Sequence, residues 1–179
     1  MKALLVYWSV TGNTEKVADA IEKGLVDQNI EVTKKVLASA SEDNFCNYDL
    51  VFLGSPTYMF MPPEPVIKFI KGKLKTHSKR GDIKLKSPRL PGKKAVVFVT
   101  YSGPHTGENE AVPVGKYIGQ MFEHIGFEVA EWYIASEFHG RKEMNINGAL
   151  GDIRGKPNEQ DLAKIKDDVL TLVKSISLL

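Results

Sequence analysis

Three stretches of this chain carry almost no polar residues: KALLVYW at 2–8, DLVFLG at 49–54 and KKAVVFVTY at 93–101. A strand with apolar residues on both of its faces must be buried on both, which is the situation of a strand inside a parallel sheet. Helix-period segments run between them. From Thr14, the residues Val17, Ala18, Ile21 and Leu25 recur at helical spacing to about Asp27. Residues 64–72 repeat through Val66, Ile67, Phe69 and Ile70. Residues 110–125 repeat through Val114, Ile118, Met121, Phe122 and Ile125, with Gly126 as a stop. IEVTKKV at 30–36 alternates apolar and polar residues as a strand near a sheet edge does, and FEVAEWYIA at 127–135 reads as the last strand. After a glycine-rich loop to Pro157, Asn158 caps a terminal helix with Leu162, Ile165, Val169, Leu172 and Val173 inside. Strand and helix alternate along the whole chain. That order predicts an α/β fold, a parallel sheet with helices on both faces.

A length of 179 residues suits one domain, and no repeat or low-complexity tract divides it. The lone Cys46 excludes an internal disulfide, points to a reducing compartment and otherwise reads as a bystander. The N-terminus MKALLVYWSV lacks the features of a signal peptide, and no apolar run approaches the ~20 residues that span a bilayer. The expectation is a soluble, cytoplasmic protein away from the membrane.

The net charge of +2 conceals a split. Residues 71–94 hold ten lysines and arginines against the single acid Asp82, while the remainder holds 14 basic and 21 acidic residues. The chain reads as an acidic domain with a basic insertion at 73–92. That insertion has no Phe, Tyr or Trp to stack on bases, which argues against nucleic acid. A solvated loop comes first, and a dock for an acidic redox partner second.

Chemistry in an open parallel sheet sits beyond the carboxyl ends of the strands. The loop after the first strand is Ser9-Val10-Thr11-Gly12-Asn13-Thr14 and leads straight into a helix. Three hydroxyls, an amide, a permissive glycine and free helix N–H groups make a cradle for a phosphate monoester. Gly12-Asn13 is not the Gly-Lys-Ser/Thr of a nucleotide-triphosphate loop, and a single glycine is not a dinucleotide fingerprint. The first strand ends without the acids of a phosphoacceptor, and Cys46 precedes a different strand from that of a cysteine phosphatase. His77, His105, His124 and His139 lack metal-ligand spacing, which argues against zinc.

VYWSVTGNTEKVADAIEKGL resembles the FMN phosphate-binding segment of the flavodoxins, whose pattern is roughly T/S-x-T-G-x-T. DLVFLGSPTYMFMPPEPVIKF is similar to the second flavin loop of flavodoxin-like proteins. VVFVTYSGPHTGENE resembles the third loop as it occurs in NAD(P)H:quinone oxidoreductases and related proteins. The resemblance spans nearly the whole chain. It implies a flavodoxin-like five-stranded sheet of order 2-1-3-4-5 and FMN as cofactor; that order belongs to the family and is not read from spacing. On the matching positions, Ser9, Thr11, Gly12, Asn13 and Thr14 would hold the FMN phosphate, with Val10 giving its backbone N–H. Ser55, Pro56, Thr57, Tyr58, Met59 and Phe60 would flank the ribityl chain and ring. Tyr101, Ser102, Gly103, His105, Thr106 and Gly107 would wrap the pyrimidine side. Trp8 reads as packed at the strand end, and His105 stays open between ring contact and a solvated loop.

The third loop lacks the acids usual in small electron-transfer flavodoxins, and Tyr58-Met59-Phe60 lacks the glycine that lets a peptide flip on reduction. Two functions follow from the resemblance. The first is an electron carrier between redox proteins such as a reductase or a ferredoxin-like donor or acceptor, with no catalytic residue of its own. The alternative is an FMN oxidoreductase taking hydride from NAD(P)H to a quinone. The loop 136–157 leaves a strand on the flavin side, and it reads equally as a substrate or partner lid and as a passive connection.

Overall fold

The computed structural model describes residues 1–177. Five strands alternate with helices: β1 (Lys2–Tyr7), α1 (Asn13–Asp27), β2 (Glu31–Val36), β3 (Leu50–Pro56), α2 (Glu64–Lys79), β4 (Lys94–Tyr101), α3 (Val112–Ile125), β5 (Glu128–Ala135), the short α4 (Met144–Asn147) and α5 (Glu159–Ser177). The sheet order is β2-β1-β3-β4-β5 and every pairing is parallel.

The side-chain period of two divides each apolar strand between two cores. Leu4 and Val6 of β1, Val51 and Leu53 of β3, and Val97 and Val99 of β4 face α2 and α3 with Val66, Ile70, Ile118 and Phe122. Ala3 and Leu5, Leu50 and Phe52, and Val96 and Phe98 face the other way, against Val17, Ile21 and Leu25 of α1 and Ile165 and Val169 of α5. β2, whose residues are only partly buried, closes one edge, as its alternating sequence foretold. Register brings the strand ends together on one side: Tyr7 pairs with Gly54, Pro56 with Thr100, and Tyr101 with Ala135.

The start of α5 is capped reciprocally. Asn158 Oδ1 accepts from the N–H groups of Gln160 and Asp161 at 3.0 and 3.1 Å, and Asp161 Oδ2 accepts from the Asn158 N–H at 2.9 Å.

Two segments differ from the sequence reading. α2 runs on to Lys79, so 73–79 is helix rather than basic loop. Its buried stripe of Val66 and Ile70 is continued by Lys73 and His77, polar residues that break an apolar period yet lie inside. Lys73 is 2% exposed and stays there because its Nζ donates to the Ser41 and Asp43 carbonyls at 2.8 and 2.6 Å. The 136–157 loop is likewise folded. Asn145 and Ile153 are buried in it, and the Ile153 N–H donates to Asn145 O at 2.8 Å. No helix among the described residues is long and apolar enough to cross a membrane.

Candidate functional site

The loops after β1, β3, β4 and β5 meet at the carboxyl edge. β1 gives way at Trp8, which is half-buried and meets the Tyr58 ring edge-on at 5.8 Å, so it packs at the strand end as expected. The chain then turns through Ser9–Thr11 to Gly12, whose φ of 87° is the left-handed conformation that glycine adopts without strain. The Gly12 N–H donates to Ser9 Oγ at 3.1 Å. Among the described residues no side chain caps α1, so the N–H groups of its first turn have no capping oxygen. Asn13 Nδ2 donates to Glu137 O at 3.0 Å and ties this loop to the exit of β5. Thr14 is buried, with its hydroxyl 2.8 Å from that of Thr100. One of these two hydroxyls donates to the other, and the acceptor keeps its own proton to give elsewhere.

Between these loops lies a cup of about 230 Å3, lined by Ser9, Val10, Thr11, Asn13 and Thr14 on one side and Thr100, Ser136 and Glu137 on the other. Thr57, Tyr58, Tyr101, Ser102 and Phe138 line both this cup and a neighbouring slot of about 400 Å3, which adds Met59, Phe60, Gly103, Pro104, His105, Glu110 and Met144. Among the described residues, neither is lined by a lysine or arginine. The outer lip of the slot is a tight turn in which the Tyr58 and Met61 backbones bond each other both ways at 3.0 Å. Met59 and Phe60 sit in it at φ of 48° and 68°, a conformation side chains adopt only under constraint. Met59 is 89% exposed.

The third loop is held from behind. The His105 and Thr106 N–H groups both donate to Glu110 Oε1, at 2.8 and 2.7 Å. Gly103 has a φ of 47°, and a Cβ there would fall 2.4 Å from Gly107 O, so no larger residue fits the turn. Tyr101 is buried, which together with Glu108 pushes its hydroxyl pKa up and keeps it a protonated donor at neutral pH. The last loop is stapled by Asn145, whose Oδ1 accepts from the Phe138 N–H at 2.7 Å and whose Nδ2 donates to Phe138 O at 2.8 Å.

Most of the residues singled out from the sequence line the cup or the slot. Gly12, Ser55, Thr106 and Gly107 line neither. Ser55 is fully buried because β3 runs past it to Pro56, and its hydroxyl donates to Pro56 O at 2.9 Å. Gly12, Thr106 and Gly107 shape turns from outside the cavity. Thr100, Ser136 and Glu110 were missed. Thr100 carries a signal, a hydroxyl at the end of an otherwise apolar strand. Glu110 stands within five residues of the N–H groups it accepts from, so its part is local, whereas Ser136 is brought to the cup only by the fold.

A doubly wound parallel sheet, with a polar cup and an aromatic slot at the carboxyl ends of its middle strands, defines a ligand-binding α/β protein of the switch-point type. The chain belongs to the flavodoxin family, whose family profile matches residues 5–166. It is 40% identical over 50 residues to a flavodoxin of Clostridium beijerinckii, a match covering 28% of this chain and 36% of that one. It is 41% identical over 58 residues to "Probable flavodoxin 2" of Bacillus subtilis (strain 168), covering 32% of this chain and 38% of the relative. The match thus spans little over a third of the length of these curated relatives. A solved flavodoxin of Streptococcus pneumonia TIGR4 shares the fold, with a TM-score of 0.67 at 18% identity, over 98% of this chain and 99% of the other.

The residues present fit FMN. The cup offers hydroxyls and N–H groups without a competing cation, which suits a phosphate. The Thr57 hydroxyl, on the wall shared by cup and slot, is buried without a hydrogen-bond partner among the described residues. A ligand with polar atoms along that wall would satisfy it.

Proposed function

We infer that the protein, acting as one domain over residues 1–179, holds one FMN in the cup and slot and carries electrons between redox proteins. The observation that carries this reading is the continuity of a donor-lined cup with an aromatic slot open to solvent. FMN supplies the redox chemistry, and the chain supplies binding, orientation and electrostatics. Ser9, Thr11, Asn13 and Thr14, with the Val10 N–H and the turn that Gly12 permits, take the phosphate. Pro56, Thr57, Tyr58, Met59 and Phe60 flank the ribityl chain and ring, with Ser55 bracing them from inside the sheet. Tyr101, Ser102, Gly103 and His105 wrap the pyrimidine side, and Thr106 and Gly107 hold that turn in shape. The exposed Tyr58, Met59 and Phe60 form an apolar rim against which a protein partner, such as a reductase or a ferredoxin-like protein, excludes water. The work is oxidoreduction, and the single cysteine suits a cytoplasmic setting.

The folded 136–157 loop gives a second reading some support, because Phe138 and Met144 line the slot and a nicotinamide would have to share it. Anaerobic mixing separates the two. A carrier bleaches negligibly with NADH or NADPH alone and quickly once a flavodoxin or ferredoxin reductase is added. Fast bleaching by NADPH alone would make the protein an NAD(P)H-dependent oxidoreductase, with a quinone as the acceptor to test. Failure to bind FMN at all would overturn both readings.

A further inference from the structure

A second cluster of chemistry-bearing side chains lies at the amino edge of the sheet, away from the cup and slot. Cys46 sits in the 3-10 turn Phe45–Asn47 that leads into β3. His77 occupies the last turn of α2, and Asp82 follows that helix. One ligand atom from each lies within 4.8 Å of the other two. His77 and Asp82 lie five residues apart, but Cys46 stands 31 positions before His77 and reaches them only through packing.

His77 is 1% exposed, and its Nδ1 stands 2.8 Å from Asp82 Oδ2. Its Nε2 is buried with no hydrogen-bond partner among the described residues. Phe45 stacks on the ring at 5.4 Å, which holds the plane but satisfies no nitrogen. A buried nitrogen left unpaired is costly, so its persistence calls for a function or an occupant. Burial, followed by the charge of Asp82, pushes the Cys46 thiol pKa up, and burial pushes His77 down. The resting cluster therefore sets a protonated thiol and a neutral imidazole beside the Asp82 side chain.

Sulfur, nitrogen and oxygen donors together suit a borderline-soft cation; calcium and magnesium take oxygen almost alone. Thiolate and carboxylate bring two negative charges to match a divalent ion. Bonds of about 2.0–2.3 Å in a tetrahedral site place donors roughly 3.3–3.8 Å apart, so the His77 Nδ1–Asp82 Oδ2 pair at 2.8 Å opens to admit the ion, while pairs as wide as 4.8 Å close by about 1 Å. Arg80 Nε lies 3.5 Å from Asp82 Oδ2, but its side chain is 48% exposed and free to turn to solvent.

We propose that Cys46, His77 and Asp82 form a binding site for a zinc-like divalent cation, with a fourth position open to water. On binding, a sulfur–metal bond forms and the thiol proton leaves to solvent. The bound ion ties the end of α2 to the entry of β3. This site stands apart from the FMN reading.

The test uses the full-length protein under a phosphine reductant, titrated with Co2+ and then Zn2+ against a chromophoric chelator. One equivalent of Co2+ should give a thiolate-to-cobalt charge-transfer band in the near-ultraviolet difference spectrum, abolished by one equivalent of Zn2+. Cys46→Ser and His77→Gln should each weaken Zn2+ binding at least ~10-fold. His124→Gln, on the exposed face of α3, should bind as the parent does. Zn2+ should raise the melting temperature of the parent but not of Cys46→Ser. If His77→Gln fails to fold, Cys46→Ser decides alone, because the change is small and at a half-buried position. Absence of the thiolate band, or Zn2+ held as tightly by Cys46→Ser as by the parent, overturns the proposal.

Discussion

Thr11 and Thr14 were equivalent as letters in a loop, and their surroundings now separate them. Thr11 is exposed at the mouth of the cup, with no hydrogen bond from its hydroxyl among the described residues. Thr14 is buried against Thr100. Thr11→Ala should therefore weaken FMN without touching the fold. One lost bond to a phosphate dianion is typically worth ~1.5–3 kcal/mol, or roughly 10- to 100-fold in affinity. Riboflavin, which lacks the phosphate, should bind Thr11→Ala and the parent alike. Fluorescence titration with both ligands checks this, and an equal loss for the two would place the phosphate elsewhere. Thr14→Ala should lower FMN affinity and stability together, because it strands the Thr100 hydroxyl in the interior at a cost of about 1–3 kcal/mol. The Ser9–Thr14 segment was legible as a polar turn opening a helix because turn chemistry is local. Thr100 was not, since its value depends on a partner 86 positions away.

At the scale of elements, α2 and the 136–157 loop are decided by buried polar residues. Lys73 seals α2 onto the 41–43 segment, and burial pushes its amine down to about 8 against an ordinary 10.5. Between those values the unfolded chain holds a proton that the folded chain has released. Stability must therefore rise with pH across that window, and below about 8 the full burial penalty remains. Urea denaturation of the parent and of Lys73→Met from pH 7 to about 10 should show the parent gaining on the variant only above about 8. A flat difference would mean that the buried amine stays charged. Asn145 plays the corresponding part for the loop. Asn145→Ala removes both bonds to Phe138, each typically worth ~0.5–1.5 kcal/mol. Limited proteolysis should then cut within 138–150 faster, bound FMN should dissociate faster, and the melting temperature should fall by a few degrees. Unchanged cleavage would show that the loop has other anchors. The periodicity of α2 read correctly as far as Ile70. It failed beyond because Lys73 and His77 are buried for their partners and not for their hydropathy.

The whole molecule is polarised along its strands. Strands of six to eight residues rise ~3.3 Å per residue, so about 20–25 Å separate the carboxyl edge from the amino edge. The loop between α2 and β4 lies at the amino edge, with Arg80, Lys84, Lys86 and Arg89 exposed. A partner held there would be far from the cup and slot at the carboxyl edge, which favours a solvated loop over a dock. Replacing Lys84, Lys86 and Arg89 with serine should leave the rate of flavin reduction by a reductase, and its salt dependence, unchanged. Stopped-flow bleaching across a range of ionic strength tests this, and a flattened salt dependence would restore the docking role. The sequence by itself determined the alternation of strand and helix, the burial of β1, β3 and β4 on both faces, and the donor-rich first loop. Each of these is written in residues close together in the chain. Only the tertiary structure decided which side chains complete the cup, how far α2 extends, and that Cys46 meets His77 and Asp82. Those outcomes rest on polar groups whose burial is tolerated only where distant segments supply partners, and no local period or spacing records such pairing.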